Sequence, residues 1–353
     1  MELELLIIRS IIILVVFGVT LLIATYSTYA ERKVAAFLQD RVGPNRAGPF
    51  GLLQPLADAG KMFFKEEFIP SKASRKLFII GPGVAMIIAC MSSAVIPFGN
   101  SLIIEGREII LQGIEVNIGI LYIFGVVSLG VYGIMIGGWA SNNKFSLLGA
   151  IRAASQNISY ELAMGLSIIA LLMMSGTLSL REIALQQHGF NWNIWYQPLG
   201  FIIFLVCAFA ETNRTPFDLP ECETELVGGY HTEYSSMKLG LYLFAEYINI
   251  FVASTVMATL YFGSFNFPFM DEVGALISDD PVVAHNVVTI IGTLVLFAKI
   301  FFFIFFFMWV RWTLPRFRYD QLMNLGWKIL IPLAILNIML TGGGILLKDY
   351  LNF

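Results

Sequence analysis

The chain has 353 residues, of which 57% are apolar and only 13% charged, with a formal charge of -3. A soluble domain carries about 25% charged residues. So much apolar surface cannot be hidden from water, which excludes the soluble and disordered classes. The small net charge, without a polybasic tail, argues against nucleic acid as a partner.

Eight spans of about 20 residues would use about half of such a chain. In chain order the apolar runs fall at 5–28, 77–97, 118–139, 153–175, 197–211, 239–262, 286–310 and 326–346. They predict an all-α polytopic membrane protein with about eight transmembrane helices in a single membrane domain over 1–353. No small-residue cleavage site follows the first run, which reads as a retained span. The fifth run is the shortest. Its uninterrupted apolar core reaches only from Leu199 to Ala210, a length that also fits a re-entrant segment.

The segment 31–76 follows the first span. Its stretch RVGPNRAGPFG holds two prolines and three glycines and must be a structured turn. Pro55 can then open a helix as its first residue. Leu53, Leu56, Ala57, Gly60, Phe63 and Phe64 share one face, and Asp58, Lys61 and Lys65 the other. This pattern predicts an amphipathic helix lying in the membrane interface, as a plain anchor or as the floor of a gate for a lipid-soluble substrate. Further on, 101–116 alternates apolar and polar residues around Glu-Gly-Arg, which predicts a short external hairpin.

Basic residues set the orientation. The alternate loops after the first span carry 17 of them, against Arg9, Arg107, Arg181 and Lys348 on the other side, with Lys299 inside a span. The positive-inside rule puts the basic loops in the cytoplasm and both termini outside. All six tryptophans fall near predicted span ends, as an aromatic belt should.

Several chemistries have no signature. Cys90, Cys207 and Cys222 are isolated, and His188, His231 and His285 avoid the middle of the apolar runs. Neither a metal site nor a bis-histidine haem is indicated. There is no GxxxxGK[ST] and no GxGxxG, so no nucleotide site is signalled.

The charges inside the spans stand out instead: Glu161, Glu211, Glu246 and Lys299. Each costs about 2.5–3.5 kcal/mol at a span centre on insertion scales. Such groups face the protein interior or water and pair with one another, as structural ion pairs or as a proton relay. Glu211 lies near a boundary and suits the structural reading best. The loop 212–238 adds Asp218, Glu221, Glu223, Glu225 and Glu233, opposed locally by only Arg214 and Lys238. Crowded carboxylates titrate as a group, though a plain solvated acidic face has the same composition.

Five segments in series now carry a resemblance. They are ERKVAAFLQDRVGPNRAGPFGLLQPLADAGKMFFKEE, ASQNISYELAMG, AFAETNRTPFDLPECETELVGGYHTEY, AEYINIF and RWTLPRFRYDQLMNLGWK. From about Glu31 to Lys328 the chain resembles the H subunits of bacterial NADH-quinone oxidoreductase, respiratory complex I. The resemblance implies a membrane subunit without a redox centre of its own. It would form part of a quinone chamber with peripheral subunits, one of which carries the terminal iron–sulfur cluster. FMN, the clusters and the NADH site would lie in partner subunits, and membrane subunits and lipids would complete its surroundings in the bacterial inner membrane.

By motif, the resemblance implies relay roles for Glu161, Glu211, Glu221, Glu223, Glu225 and Glu246, with Asp218 and Glu233 in the same loop; Lys299 joins the candidates by its place inside a span alone. It implies quinone-chamber positions at Glu31, Arg32, Arg41, Asp58, Lys61, Phe63, Arg214 and Arg316. The quinone would be ubiquinone or menaquinone, and the coupled ion a proton by default, with sodium as the alternative. Related subunits of membrane-bound hydrogenases and formate hydrogenlyases share such acids without needing quinone. An ion-coupled secondary transporter is the other class that fits buried charges, but no internal repeat supports it.

Overall fold

The computed structural model describes residues 2–220, 223–277 and 280–351. In chain order the elements are α1 (Glu2–Leu38), α2 (Gln54–Phe64), α3 (Arg75–Ser92), the hairpin β1 (Pro97–Ile104) and β2 (Arg107–Gln112), α4 (Gly119–Ala140) and α5 (Lys144–Ser175). There follow α6 (Leu180–Gln186), α7 (Asn193–Tyr196), α8 (Pro198–Glu211), α9 (Glu223–Leu226), α10 (Ser236–Tyr261), α11 (Met270–Ile277), α12 (Pro281–Thr313), α13 (Tyr319–Asn324) and α14 (Ile331–Leu351). A π-turn at Leu325–Leu330 joins α13 to α14.

Among the described residues, seven helices are long and apolar enough to cross a membrane: α1, α3, α4, α5, α10, α12 and the α13–α14 rod. The chain is thus an all-α polytopic membrane protein. The fifth predicted span, α8, has only 14 residues. At 1.5 Å per residue it reaches about 21 Å, short of the ~30 Å hydrocarbon core. It packs mainly on α5, and its last turn, Cys207 to Ala210, is buried throughout. An incomplete helix at membrane depth is tolerated only inside protein, where its backbone groups can find partners.

The remaining differences from the pattern have local causes. Helix α1 continues ten residues past the predicted span, because Glu31 to Leu38 contains strong helix formers and no glycine or proline before Gly43. The hairpin forms as predicted, turning at Glu105 (φ 52°) and Gly106 (φ 75°) between the Ile104–Arg107 pair. Two positive φ values are what a two-residue turn needs to match the strand twist. Asn286 of α12 anchors it through Ile103 N–H and C=O, at 2.7 and 2.8 Å.

Helix α10 is the axis of the bundle. Of its apolar stretch 72% is buried, against 17–44% for the other six long helices. Helices α3 and α4 meet closely beside it, because Gly81 and Ala85 of α3 face Gly137 and Gly133 of α4. Small residues let backbones approach in a membrane, where apolar burial alone gives helices little reason to associate. The predicted amphipathic helix is α2. Its Leu56, Phe63 and Phe64 are exposed, while it rests on α1 and α10.

Candidate functional site: a buried ion network beside two small cavities

The short α8 shapes the site. It stops at Glu211, and the chain after it does not leave the bundle. Thr212, Asn213, Arg214, Phe217, Asp218 and Leu219 are all buried. The acidic stretch predicted as a loop is therefore part of the interior at its start. Gln156 of α5 holds it there, donating from Nε2 to the carbonyls of Ala210 and Phe217, both at 2.8 Å.

Arg214 is the centre of the network. Its guanidinium lies 3.4 Å from Glu246 of α10 and 4.0 Å from Glu31 of α1, and stacks over Tyr247 at 4.6 Å. Arg311 of α12 reaches Glu31 from the other side. Tyr247 donates to Glu31 at 2.7 Å, and Tyr230 donates to Glu246 at 2.9 Å. Glu31, Arg214 and Glu246 are 5–7% exposed. Burial at that level leaves an ion pair unscreened, so each charge depends on its partner.

Next to this cluster, Arg316 binds Asp218 at 2.6 Å. Burial pushes the Asp218 carboxyl above the usual carboxylate range, and the Arg316 guanidinium pulls it back only in part. Its folded value thus lies above its unfolded one. The stability tied to Asp218 is complete below about pH 3.9 and is lost as pH rises through the folded value. Replacing Asp218 by Asn is expected to remove that loss. The thermal midpoint of the complex, followed from about pH 4 to pH 7, should then fall less steeply than for the wild type. An unchanged slope counts against this assignment.

Two cavities continue from Glu246. One, of about 30 Å³, is lined by Glu246, Tyr230, Tyr242, Asn157, Asn249 and Glu211. The second, of about 40 Å³, shares Glu211 and Asn249 and runs on between Phe124, Met164 and Phe204. A cavity holds a water once it has about 10–15 Å³ of such space, so each has room for two or three. Glu211 is common to both, and its Oε2 has no hydrogen-bond partner among the described residues.

Phe124 separates the second cavity from a cleft of about 520 Å³ between α4 and α5, which contains Glu161. Glu161 is hydrogen-bonded to Ser128, whose hydroxyl also reaches the Phe124 carbonyl at 2.7 Å. The Ser128 hydroxyl thus joins the Glu161 carboxyl to the backbone of α4.

The other predicted residues distribute around this core. Arg32 pairs with Asp58 at 2.7 Å and ties α2 to α1, one residue from Glu31. Arg41, Lys61 and Phe63 are exposed and stand outside the ion network. Glu225 pairs with Arg152 at 2.5 Å, and Glu233 accepts from Asn143 at 2.6 Å. These two brace the loop against α5 rather than joining the cavities. Glu221 lies outside the described residues, and only the backbone of Glu223 is described, at the head of α9. Lys299 is not brought to the carboxylates. Its ammonium meets three backbone carbonyls near the far end of α10.

Sequence reasoning missed Tyr230, Tyr247, Gln156, Ser128 and Arg311 as members of the site. Arg311 opens one of the quoted motifs and Tyr247 follows Glu246 directly, so proximity to flagged residues was their available signal. Gln156 and Tyr230 also lie within quoted motifs, whereas Ser128 had no signal, because its partner Glu161 is distant in sequence.

The fold and site define a polytopic membrane protein with ionisable groups strung through its interior. The NADH dehydrogenase family profile matches residues 10–342. The chain is 67% identical to the first H subunit of NADH-quinone oxidoreductase from Cytophaga hutchinsonii, over 98% of each chain. It is 65% identical to the H subunit of NADH-quinone oxidoreductase from Flavobacterium johnsoniae, over 99% of this chain and 98% of the relative. It is 47% identical to the corresponding H subunit from Thermomicrobium roseum, over 97% of each. The chain belongs to the NADH dehydrogenase family, together with these H subunits.

Proposed function

We propose that the chain works as the membrane subunit of an NADH-quinone oxidoreductase that forms one wall of the quinone chamber and couples quinone reduction to proton movement. One observation carries this reading. Ionisable groups form an almost unbroken series from Asp218 and Arg316, through Arg311, Glu31, Arg214 and Glu246, across the cavities to Glu211, and on to Glu161 at the α4–α5 cleft. A purely structural ion cluster would end at Glu246. This one continues past water-sized spaces to a carboxyl at the side of the bundle.

In this reading the exposed apolar face of α2 receives the quinone tail at the headgroup level, with the Arg32–Asp58 pair setting that helix against α1. Arg41, Lys61, Phe63 and Arg316 face the same chamber. Electrons come from an iron–sulfur cluster in a peripheral partner. Reduction of the quinone draws protons and shifts charge beside Asp218 and Glu31. Each shift changes which carboxyl along the series holds a proton, because neighbouring acids share protons as a group. Cavity waters carry the exchange between Glu246 and Glu211, and Glu161, held by Ser128, exchanges with Glu211 through water that enters past Phe124. The complex sits in the bacterial inner membrane with both termini of this chain outside.

Glu246→Gln and Glu161→Gln test the series. Both keep the shape and lose the exchangeable charge. Coupled NADH-driven quinone turnover in membrane vesicles is expected to fall at least about tenfold in each, with the complex assembled. Wild-type turnover and proton pumping in both variants would end the relay reading.

A further inference from the structure

We infer that Lys299 is a fixed cation that locks an aromatic plug across the far end of the acid series, so that protons entering this chain leave it sideways and do not cross it. The inference rests on the proposed relay and assigns it a closed end.

The chemistry begins with donors and acceptors. The Lys299 ammonium has three N–H groups, and three carbonyls receive them: Phe262 at 2.7 Å, Ser264 at 2.7 Å and Asn266 at 2.8 Å. The indole of Trp192 covers it at 5.1 Å. Donors and acceptors match one to one, and an uncharged amine would leave a lone pair facing a carbonyl. Unlike the glutamates, this group has no carboxylate beside it among the described residues and lines neither cavity.

What it holds is the turn that ends α10. Side-chain amides hold the same turn from the other side. Gln187 donates to Thr259 at 2.9 Å, Asn193 to Leu260 at 2.8 Å, and Asn266 to Ala184 at 2.6 Å. Gly263 adopts φ 72° there, and a Cβ on it would stand 2.9 Å from the Trp192 indole nitrogen.

The locked turn places Phe262 among Phe201 at 5.3 Å and Phe303 at 5.2 Å, while Tyr261 packs on Phe201 and Phe204 at 5.4 and 5.8 Å. Phe204 is also a wall of the cavity that holds Glu211. The cavity therefore abuts a layer of five rings on the side away from the ion network. Beyond the rings lies the lysine knot. Four of the five rings are phenylalanines, which give water no polar partner. On the other side of Glu211, Phe124 lines both the cavity and the α4–α5 cleft. That lateral side is the exit this inference assigns.

Replacing Lys299 removes three donors and leaves three buried carbonyls that only water can satisfy. Water drawn to the turn would loosen Phe262 and join the cavity to the far surface. The test uses the whole complex in inverted membrane vesicles with Lys299→Met, Lys299→Arg and Phe262→Ala. The quantities read are NADH-driven quinone reduction with a protonophore present and decay of the proton gradient after NADH is exhausted. Lys299→Met and Phe262→Ala should keep wild-type quinone reduction and lose the gradient several-fold faster. Lys299→Arg, with donors enough for the three carbonyls, should stay tight.

Adding Glu246→Gln to either leaking variant should restore tightness. A leak that persists in the double variant would keep the plug and overturn the relay. Tight vesicles from assembled Phe262→Ala and Lys299→Met complexes would overturn the plug and leave the relay standing. If Lys299→Met does not assemble, Phe262→Ala decides the matter alone.

Discussion

Replacing Arg214 by Met is expected to cost the chain about 3–5 kcal/mol, enough to strip it from the membrane or from its assembly. Arg214 stands between Glu246 at 3.4 Å and Glu31 at 4.0 Å, and all three are buried. Without it, Glu246 loses the guanidinium that faces it, and Glu31 keeps Arg311. A buried charge without a partner loses its hydration and gains nothing in return. Arg214→Lys should recover part of the loss. It keeps the charge but not the planar fork, nor the stacking over Tyr247 at 4.6 Å. Removing a charge on both sides, Arg214→Met with Glu246→Leu, should cost less than the two single changes added together. The amount of chain in purified membranes and the thermal midpoint of the complex measure all of this. A midpoint equal to wild type for Arg214→Met would show the network to be energetically idle.

Gly137→Ala is expected to be the most damaging single methyl in the bundle. An ideal Cβ at Gly137 would lie 2.0 Å from the Tyr242 hydroxyl and 3.0 Å from that of Tyr234. Neither ring can step aside. Tyr242 is 2% exposed and donates to the Gly133 carbonyl at 2.9 Å, and Tyr234 donates to the Phe78 carbonyl at 3.2 Å. Overpacking of this kind costs about 1–3 kcal/mol, and a hydrogen bond lost with it about 1 more. The effect reaches the site. Tyr242 packs edge-on against Tyr230 at 5.1 Å, and Tyr230 is the donor to Glu246. The variant should therefore lose quinone turnover as well as thermal midpoint. Gly125→Ala in the same helix, where nothing lies within 4 Å, should stay within about 0.5 kcal/mol of wild type. Equal midpoints for the two variants would refute the steric argument.

The spans were legible in the sequence because a membrane helix writes itself as a long apolar run. The hairpin was legible at Glu105–Gly106, since alternation and turn chemistry are both local. The amphipathic α2 was legible through Pro55 and its apolar stripe. Of the acids singled out within spans, Glu246 is buried, while Glu161 and Glu211 are partly buried. Their partners were not readable. Arg214 meets Glu31 from 183 positions along the chain, and no periodicity reveals such a pairing. The burial of Arg214, Phe217 and Asp218 was also hidden. It follows from α8 stopping short, and a run ending at Glu211 fits an exposed loop equally well. Lys299 shows the same limit. A cation deep in a span suggests a carboxylate partner, yet three carbonyls of a helix end serve it.

The brevity of α8 bears on how the protein is made. A segment of 14 residues is a weak signal for the insertion machinery, which reads apolar length as it leaves the ribosome. Its main support, α5, is synthesised earlier and is already in the bilayer. Its other neighbours, α10 and α14, come later. The segment must therefore wait beside α5 until they arrive, with Glu211 and Arg214 at membrane depth and Glu246 not yet present. Biogenesis has a vulnerable interval there, and changes that weaken the α5–α8 contact should lower the yield of the protein more than the stability of whatever is completed.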